Sequence, residues 1–283
     1  MSFTKATLET AMNKLAQAGK IFSNESQFQF DLAWELRKMG FDVELEVLSA
    51  DCTPSQFAAL PKEDKKRYYT DIVIKDDNEF IAIELKYKTP DKGVMHYTTG
   101  SGDYYVFPQG AENISSYLYW KDVERLESLV YKKVPLNFNN TNYVKKGYAI
   151  LLTNDKFYKF GNKRQAINGG FGSLAKEFFT IDGTTVSGTR YWYIKVDAYG
   201  NRVSANAPLS GGVVIKRIDT MADIKKYQKK KEDLAWIDLS GEYLCNWQNY
   251  CCDITNVSGI DKTGKQMLKN ISDYSFSYLL LEV

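Results

Sequence analysis

The chain has 283 residues, 44% hydrophobic and 25% charged, a balance that excludes wholesale disorder and suits one large domain or two smaller ones. A net charge of +2 excludes a global electrostatic field for holding nucleic acid, so any such contact must use local basic clusters. A single histidine excludes a multi-histidine zinc site, and four cysteines without CxxC spacing give no disulfide framework.

Residues 4–18 place Leu8, Met12 and Leu15 at helical spacing and predict an amphipathic helix. A second helix follows Asn24, a capping residue with Gln27 three positions on. Phe28, Leu32, Leu36 and Met39 form its apolar stripe, and Gly40 ends it. Glu25 lies on that stripe, either as a first-turn acid favoured by the helix dipole or as a side chain aimed at a site. Phe41, Val43, Leu45 and Val47 alternate with Asp42, Glu44 and Glu46, which predicts a strand. A polar connection with a charged run at 62–67 comes next.

Residues 69–86 carry the strongest signal. Two apolar strand-like runs flank Asp77-Asn78, which suits a two-residue hairpin turn. With that turn Asp76 pairs with Glu79, and counting back sets Asp71 opposite Glu84. The same register puts Ile72 and Ile74 on the face of Ile81 and Ile83, so the apolar pattern supports it independently. Opposed residues have Cβ atoms roughly 5 Å apart. Two carboxylates so placed repel unless something positive lies between them. A divalent ion would serve, with Lys86 beside it.

Residues 89–109, rich in glycine and tyrosine, predict a long loop with His96 exposed in it. A helix over 113–130 would turn Ile114, Tyr117, Leu118, Leu126 and Leu129 inward, and 148–152 predicts a buried strand. Further strands are expected at 191–196, 213–218 and 278–283. Most of the aromatic residues are expected to fill the core. Residues 259–266 nearly spell a phosphate-binding loop, but Gln266 replaces the Ser/Thr that would hold Mg²⁺. The glycines at 169–172 suggest a turn, and the lysine run at 225–231 a solvated helix face, with a DNA-backbone contact as the alternative.

The grouping Asp71, Glu84, Lys86 resembles the motif of the PD-(D/E)xK nuclease superfamily, with Thr70 in place of the proline. Residues 24–30, 83–89, 109–111 leading into 120–127, and 147–155 resemble an uncharacterised bacterial branch of it. In that branch the block also ends in an aromatic-rich segment (here Tyr243, Trp247 and Tyr250) and a terminal apolar strand. The resemblance implies an α/β fold: a restriction-endonuclease-like αβββαβ core with a mixed central sheet flanked by helices. The expected division is residues 1–160 for this core and 161–283 for a β-rich C-terminal extension packed on the same domain.

The resemblance also implies a metal-dependent endonuclease hydrolysing phosphodiester bonds, with DNA the expected substrate and RNA an alternative, in defence, restriction or repair. Asp71, Glu84 and the Leu85 carbonyl would hold Mg²⁺, with Mn²⁺ able to substitute and Glu25 completing the ligand set. Lys86 would orient or help deprotonate the attacking water, and Gln109 could position a water or a phosphate. The competing reading is a non-cleaving nucleic-acid-binding or structural protein that keeps the fold, with the charges forming only salt bridges. No run approaches membrane-spanning length and the N-terminus lacks an apolar secretory core. A cytoplasmic protein without a membrane partner, possible as a homodimer, is the resulting expectation.

Overall fold

The structure is a computed structural model. It describes residues 2–49, 68–76, 79–90, 93–109, 112–136, 143–161, 174–205, 207–228, 234–260, 263–268 and 274–283. The charged run at 62–67, the glycines at 169–172 and the turn residues Asp77 and Asn78 lie outside the described residues.

Two helices open the chain, α1 (Lys5–Gln17) and α2 (Glu25–Lys38). Asn24 caps α2 by accepting from Gln27 N at 2.8 Å, while the Gln27 side chain accepts from Ser23. Then come β1 (Asp42–Ser49), β2 (Tyr68–Asp76), β3 (Glu79–Lys88), a hairpin of β4 (Val94–Thr99) and β5 (Gly102–Val106), α3 (Glu112–Val130) and β6 (Val144–Thr153). The remainder holds the short helices α4 (Lys156–Phe160) and α5 (Met221–Tyr227). Its strands are β7 (Thr185–Arg190), β8 (Trp192–Val196), β9 (Val214–Ile218), β10 (Ile237–Leu244), β11 (Trp247–Tyr250), β12 (Ile254–Ile260), β13 (Gln266–Leu268) and β14 (Phe276–Glu282).

The architecture is α/β around a mixed six-stranded sheet of order β1-β2-β3-β6-β14-β11. Among the described residues only β3 and β6 run parallel, and α3 makes the crossover such a pair requires. Both faces are covered, so the central strands alternate between two cores. Ile72, Ile74, Ile81, Ile83 and Ile150 pack with Leu8, Met12, Phe28 and Leu32 from α1 and α2. Val73, Ala82, Ala149 and Leu151 pack with Trp120, Val123 and Leu126 from α3. Gly147 is where α3 comes closest; a Cβ there would meet Leu126 at 3.1 Å and Val283 at 3.3 Å.

The C-terminal half is woven into this frame. Strand β14 lies inside the central sheet beside β6, and β12 pairs with β4. Glu127 on α3, buried, accepts from Ser240 N, Gly241 N and Tyr243 Oη at 2.9, 2.6 and 2.8 Å, fixing β10 to the helix. Glu127→Ala removes the acceptor from all three donors, of which the Tyr243 hydroxyl is the buried one. A buried donor left unsatisfied costs about 1–3 kcal/mol, so urea unfolding should show a loss of about that size.

Several expectations need correction. Residues 94–106 form a hairpin, not a loop: Met95, Tyr97 and Thr99 are buried while Val94, His96 and Thr98 are half-exposed, a period of two. His96 is therefore on a strand, 3.2 Å from Asp103 and stacked on Tyr105. Ile114 and Leu118 are 51% and 42% exposed, because the inner face of α3 is built from Tyr117, Tyr119, Trp120, Val123 and Leu126. Leu45 faces solvent as well. Residues 259–266, which Gln266 already set apart from a phosphate-binding loop, are bordered among the described residues by the antiparallel strands β12 and β13. The aromatics do fill the core, with Tyr87, Tyr97, Tyr117, Tyr119, Tyr148 and Tyr158 fully buried. Among the described residues no helix is long and apolar enough to cross a membrane.

Candidate active site

The β2–β3 hairpin pairs regularly from Asp76↔Glu79 to Ile72↔Ile83 and then opens. The β1–β2 ladder also steps over the next position, passing from Leu45↔Ile72 to Val47↔Thr70. Glu46, opposite Asp71, has φ +53°, a left-handed conformation uncommon outside glycine. The strand changes face there, with Val43 in one core and Val47 in the other. Gln29 of α2 holds the opening, its Nε2 donating to Asp71 O and to Glu46 Oε1, both at 2.7 Å.

Strand β3 keeps its ladder with β6 as far as Lys88↔Thr153. Its outer edge, which β2 has left, is taken by carboxylates. Asp71 Oδ2 accepts from Leu85 N at 2.6 Å, and Glu25 Oε2 from Tyr87 N at 2.9 Å. Two acids from different elements thus replace a missing strand, which satisfies the backbone and brings charge to one place.

On the α3 side of β3 the charges are linked. Glu84, only 2% exposed, meets Arg125 through Nε (3.3 Å) and Nη2 (2.7 Å). Arg125 Nη2 also reaches Asp122 Oδ1 at 2.8 Å, and its guanidinium lies over the Tyr68 ring. Lys86 Nζ is 2.8 Å from Asp122 Oδ2, 3.8 Å from Glu25 Oε1 and 3.2 Å from the Leu85 carbonyl. Asp122 and Arg125 are one turn apart on α3, so the helix presents both to the same stretch of β3.

Three carboxylates (Glu25, Glu84, Asp122) therefore contact two cations, Lys86 and Arg125, with Asp71 close by on the strand edge. The effect on titration follows. Burial raises the Asp71 pKa to about 6, against the pull of the Leu85 N–H and of Lys86. Burial likewise raises Glu84 despite Arg125, with Asp122 and Asp71 adding to the push. Burial alone would lower Lys86, but Asp122 and Glu25 outweigh it and hold the ammonium above its ordinary value. In this arrangement Lys86 is held as a protonated donor between Asp122 and Glu25. Lys88, the next residue on that face, is the lysine that burial lowers.

Asp71, Glu84 and Lys86 face one side of the opened hairpin, and Glu25 turns toward β3 rather than into solvent. Gln109 is half-buried between β5 and α3 and makes no hydrogen bond or ion pair among the described residues; nothing joins it to the group. Lys86 is not a face-exposed residue of little weight: its side chain is 17% exposed and ion-paired. Asp122 and Arg125 were not anticipated. Their only sequence signal is a pair of charges three apart beside Trp120, Val123 and Leu126, residues that must face a core.

Among the described residues no three acidic, histidine or cysteine side chains converge tightly enough to make a ready metal site. The donor chemistry nonetheless fits a hard divalent ion such as Mg²⁺ or Mn²⁺. Asp71 is a largely enclosed carboxylate without a cation in contact, next to the Leu85 carbonyl. Glu84 has both oxygens engaged by Arg125, so it would have to share them. Compared with protein-family models, with curated proteins and with solved structures, the chain gives no match.

Proposed function

We propose that the chain is a metal-dependent nuclease with a restriction-endonuclease-like core, acting on phosphodiester bonds of DNA. The observation carrying this reading is the opened hairpin. Asp71 leaves both of its ladders and brings its carboxylate to the Leu85 N–H, on the strand that carries Glu84 and Lys86. A sheet gives up regular pairing at a cost, and such irregularities concentrate where function demands them.

Asp71, Glu84 and the Leu85 carbonyl are the groups that would hold Mg²⁺, with Glu25 beside them. When bound, the ion supplies charge neutralisation at the phosphate and an acidified water. The chain's own contribution is electrostatic and positional. Lys86, kept protonated by Asp122 and Glu25, donates to a phosphate oxygen as negative charge builds on it. Asp71, anchored through Oδ2 to the Leu85 N–H, would keep its other oxygen for the ion. Arg125 fixes the carboxylate plane of Glu84.

The test is incubation with supercoiled, linear duplex and single-stranded DNA, and with RNA, in Mg²⁺, Mn²⁺ or a chelator. Cleavage that requires the ion is expected on DNA. Absence of both cleavage and ion affinity overturns the reading. One observation favours a second: Arg125 and Lys86 already neutralise Glu84 and Asp122, as in a clamp between β3 and α3. In that case the protein keeps the fold without cutting, as a nucleic-acid-binding or structural module.

A further inference from the structure

A cleft of about 240 Å³ runs along α3, lined by Tyr68, Lys121, Glu124, Arg125, Ser128 and Lys132. Positions 121, 125 and 128 follow helical spacing on α3, Lys132 lies two residues past its end, and Tyr68 at the start of β2 forms the other wall. Arg125 is the partition: one edge of its guanidinium faces Glu84, yet Nη1 has no partner among the described residues. Lys121 is paired with Glu124 at 2.8 Å, and Glu124 is itself tied to Asp238 N at 2.9 Å. Lys132 is exposed at the rim. The cleft thus offers an unused guanidinium N–H group and two lysines, partly offset by one anchored acid.

We propose that this cleft is a phosphate subsite, binding a nucleic-acid backbone phosphate next to the one that enters the carboxylate group. The unused Nη1 group of Arg125 can donate to a phosphate oxygen as a charge-assisted hydrogen bond, and lysines supply the counter-charge. The identity of the ligand rests on the nuclease reading; the cationic cleft does not. Its position also gives substrate a way to act on the site. A phosphate drawing on Arg125 competes with Glu84 for it and loosens the contact that occupies the Glu84 oxygens.

The experiment is fluorescence anisotropy of a labelled DNA oligonucleotide in chelator, where nothing is cut, over a range of salt. The proteins are wild type, Lys121→Gln/Lys132→Gln, and a control Lys145→Gln/Lys146→Gln altering lysines paired with Glu79 and Glu282. The cleft variant should bind about tenfold more weakly at low salt, with a salt slope reduced by about two, one per lost phosphate contact. The control should match wild type, and melting curves should show all three folded. Equal affinity and slope in the cleft variant overturn the subsite, even where wild type cuts DNA. Loss of affinity in the cleft variant, with a wild type that neither cleaves nor binds the ion, keeps the subsite and sinks the nuclease reading. A wild type that binds no nucleic acid sinks both.

Discussion

At pH 8, Asp71→Asn should melt at a higher temperature than the wild type while losing metal-dependent cleavage. The Asp71 carboxyl goes from about 3.8 in the unfolded chain to about 6 in the folded one. The folded state therefore binds this proton more tightly, and stability falls as pH rises from about 4 through about 6. Above that window the ionised group carries a penalty of up to about 3 kcal/mol, at 1.36 kcal/mol per pKa unit. Asparagine removes the charge and its Oδ1 can still accept from Leu85 N. A gain of about 1–3 kcal/mol corresponds to roughly 2–6 °C in a chain of this size. The advantage should narrow as pH drops below 6 and vanish below about 4, where wild-type Asp71 is protonated in both states. Wild-type cleavage should rise over the same window, because a protonated Asp71 is a poorer ligand. An Asp71→Asn protein that melts below wild type at pH 8 would contradict this account of the buried charge.

Lys86 should show the opposite behaviour. Lys86→Met takes the cation from between Asp122 and Glu25 and leaves buried acid behind. Breaking such a pair costs about 3–5 kcal/mol, so a melting temperature lower by roughly 10 °C is expected, together with loss of cleavage. Adding Asp122→Asn removes the stranded charge. The double variant should recover most of the stability and none of the activity, a strong coupling in a double-mutant cycle. Losses that simply add would show that the two residues do not act as a unit. Activity in the double variant would remove Lys86 from the chemistry.

What could be read from the sequence follows from which forces act locally. The hairpin register was legible because Ile72, Ile74, Ile81 and Ile83 must share one face, and the turn length then fixes the rest. The Asn24 cap and the buried strand β6 were legible for similar reasons. The break in pairing at Asp71 was not, because it depends on Gln29 arriving from α2 and on the left-handed Glu46, neither of which has a local signature. Asp122 and Arg125 were hidden differently: charges three apart on a helix are ordinary on a solvated face, and only docking onto β3 buries them. In the β4–β5 hairpin the alternation of Met95, Tyr97 and Thr99 is short and set among glycines and tyrosines that suit a loop equally well. Its partner strand β12 comes from far along the chain.

The position of β14 bears on the order of events during synthesis. The ion pair between Lys146 on β6 and Glu282 on β14 joins residues 136 positions apart. A growing chain that has made the hairpin, α3 and β6 still lacks the strand that completes the sheet. Until β14 is translated, β6 presents an open apolar edge, and such edges pair readily with other chains. Long-range closure of this kind is slow. The charged group of Glu84 and Lys86 rests on β3, directly beside β6, so a nascent chain would hold these residues on an unfinished support. Competence would come late, after the polypeptide has been made through β14, and a helper that shields β6 in the interval would raise the yield of folded protein.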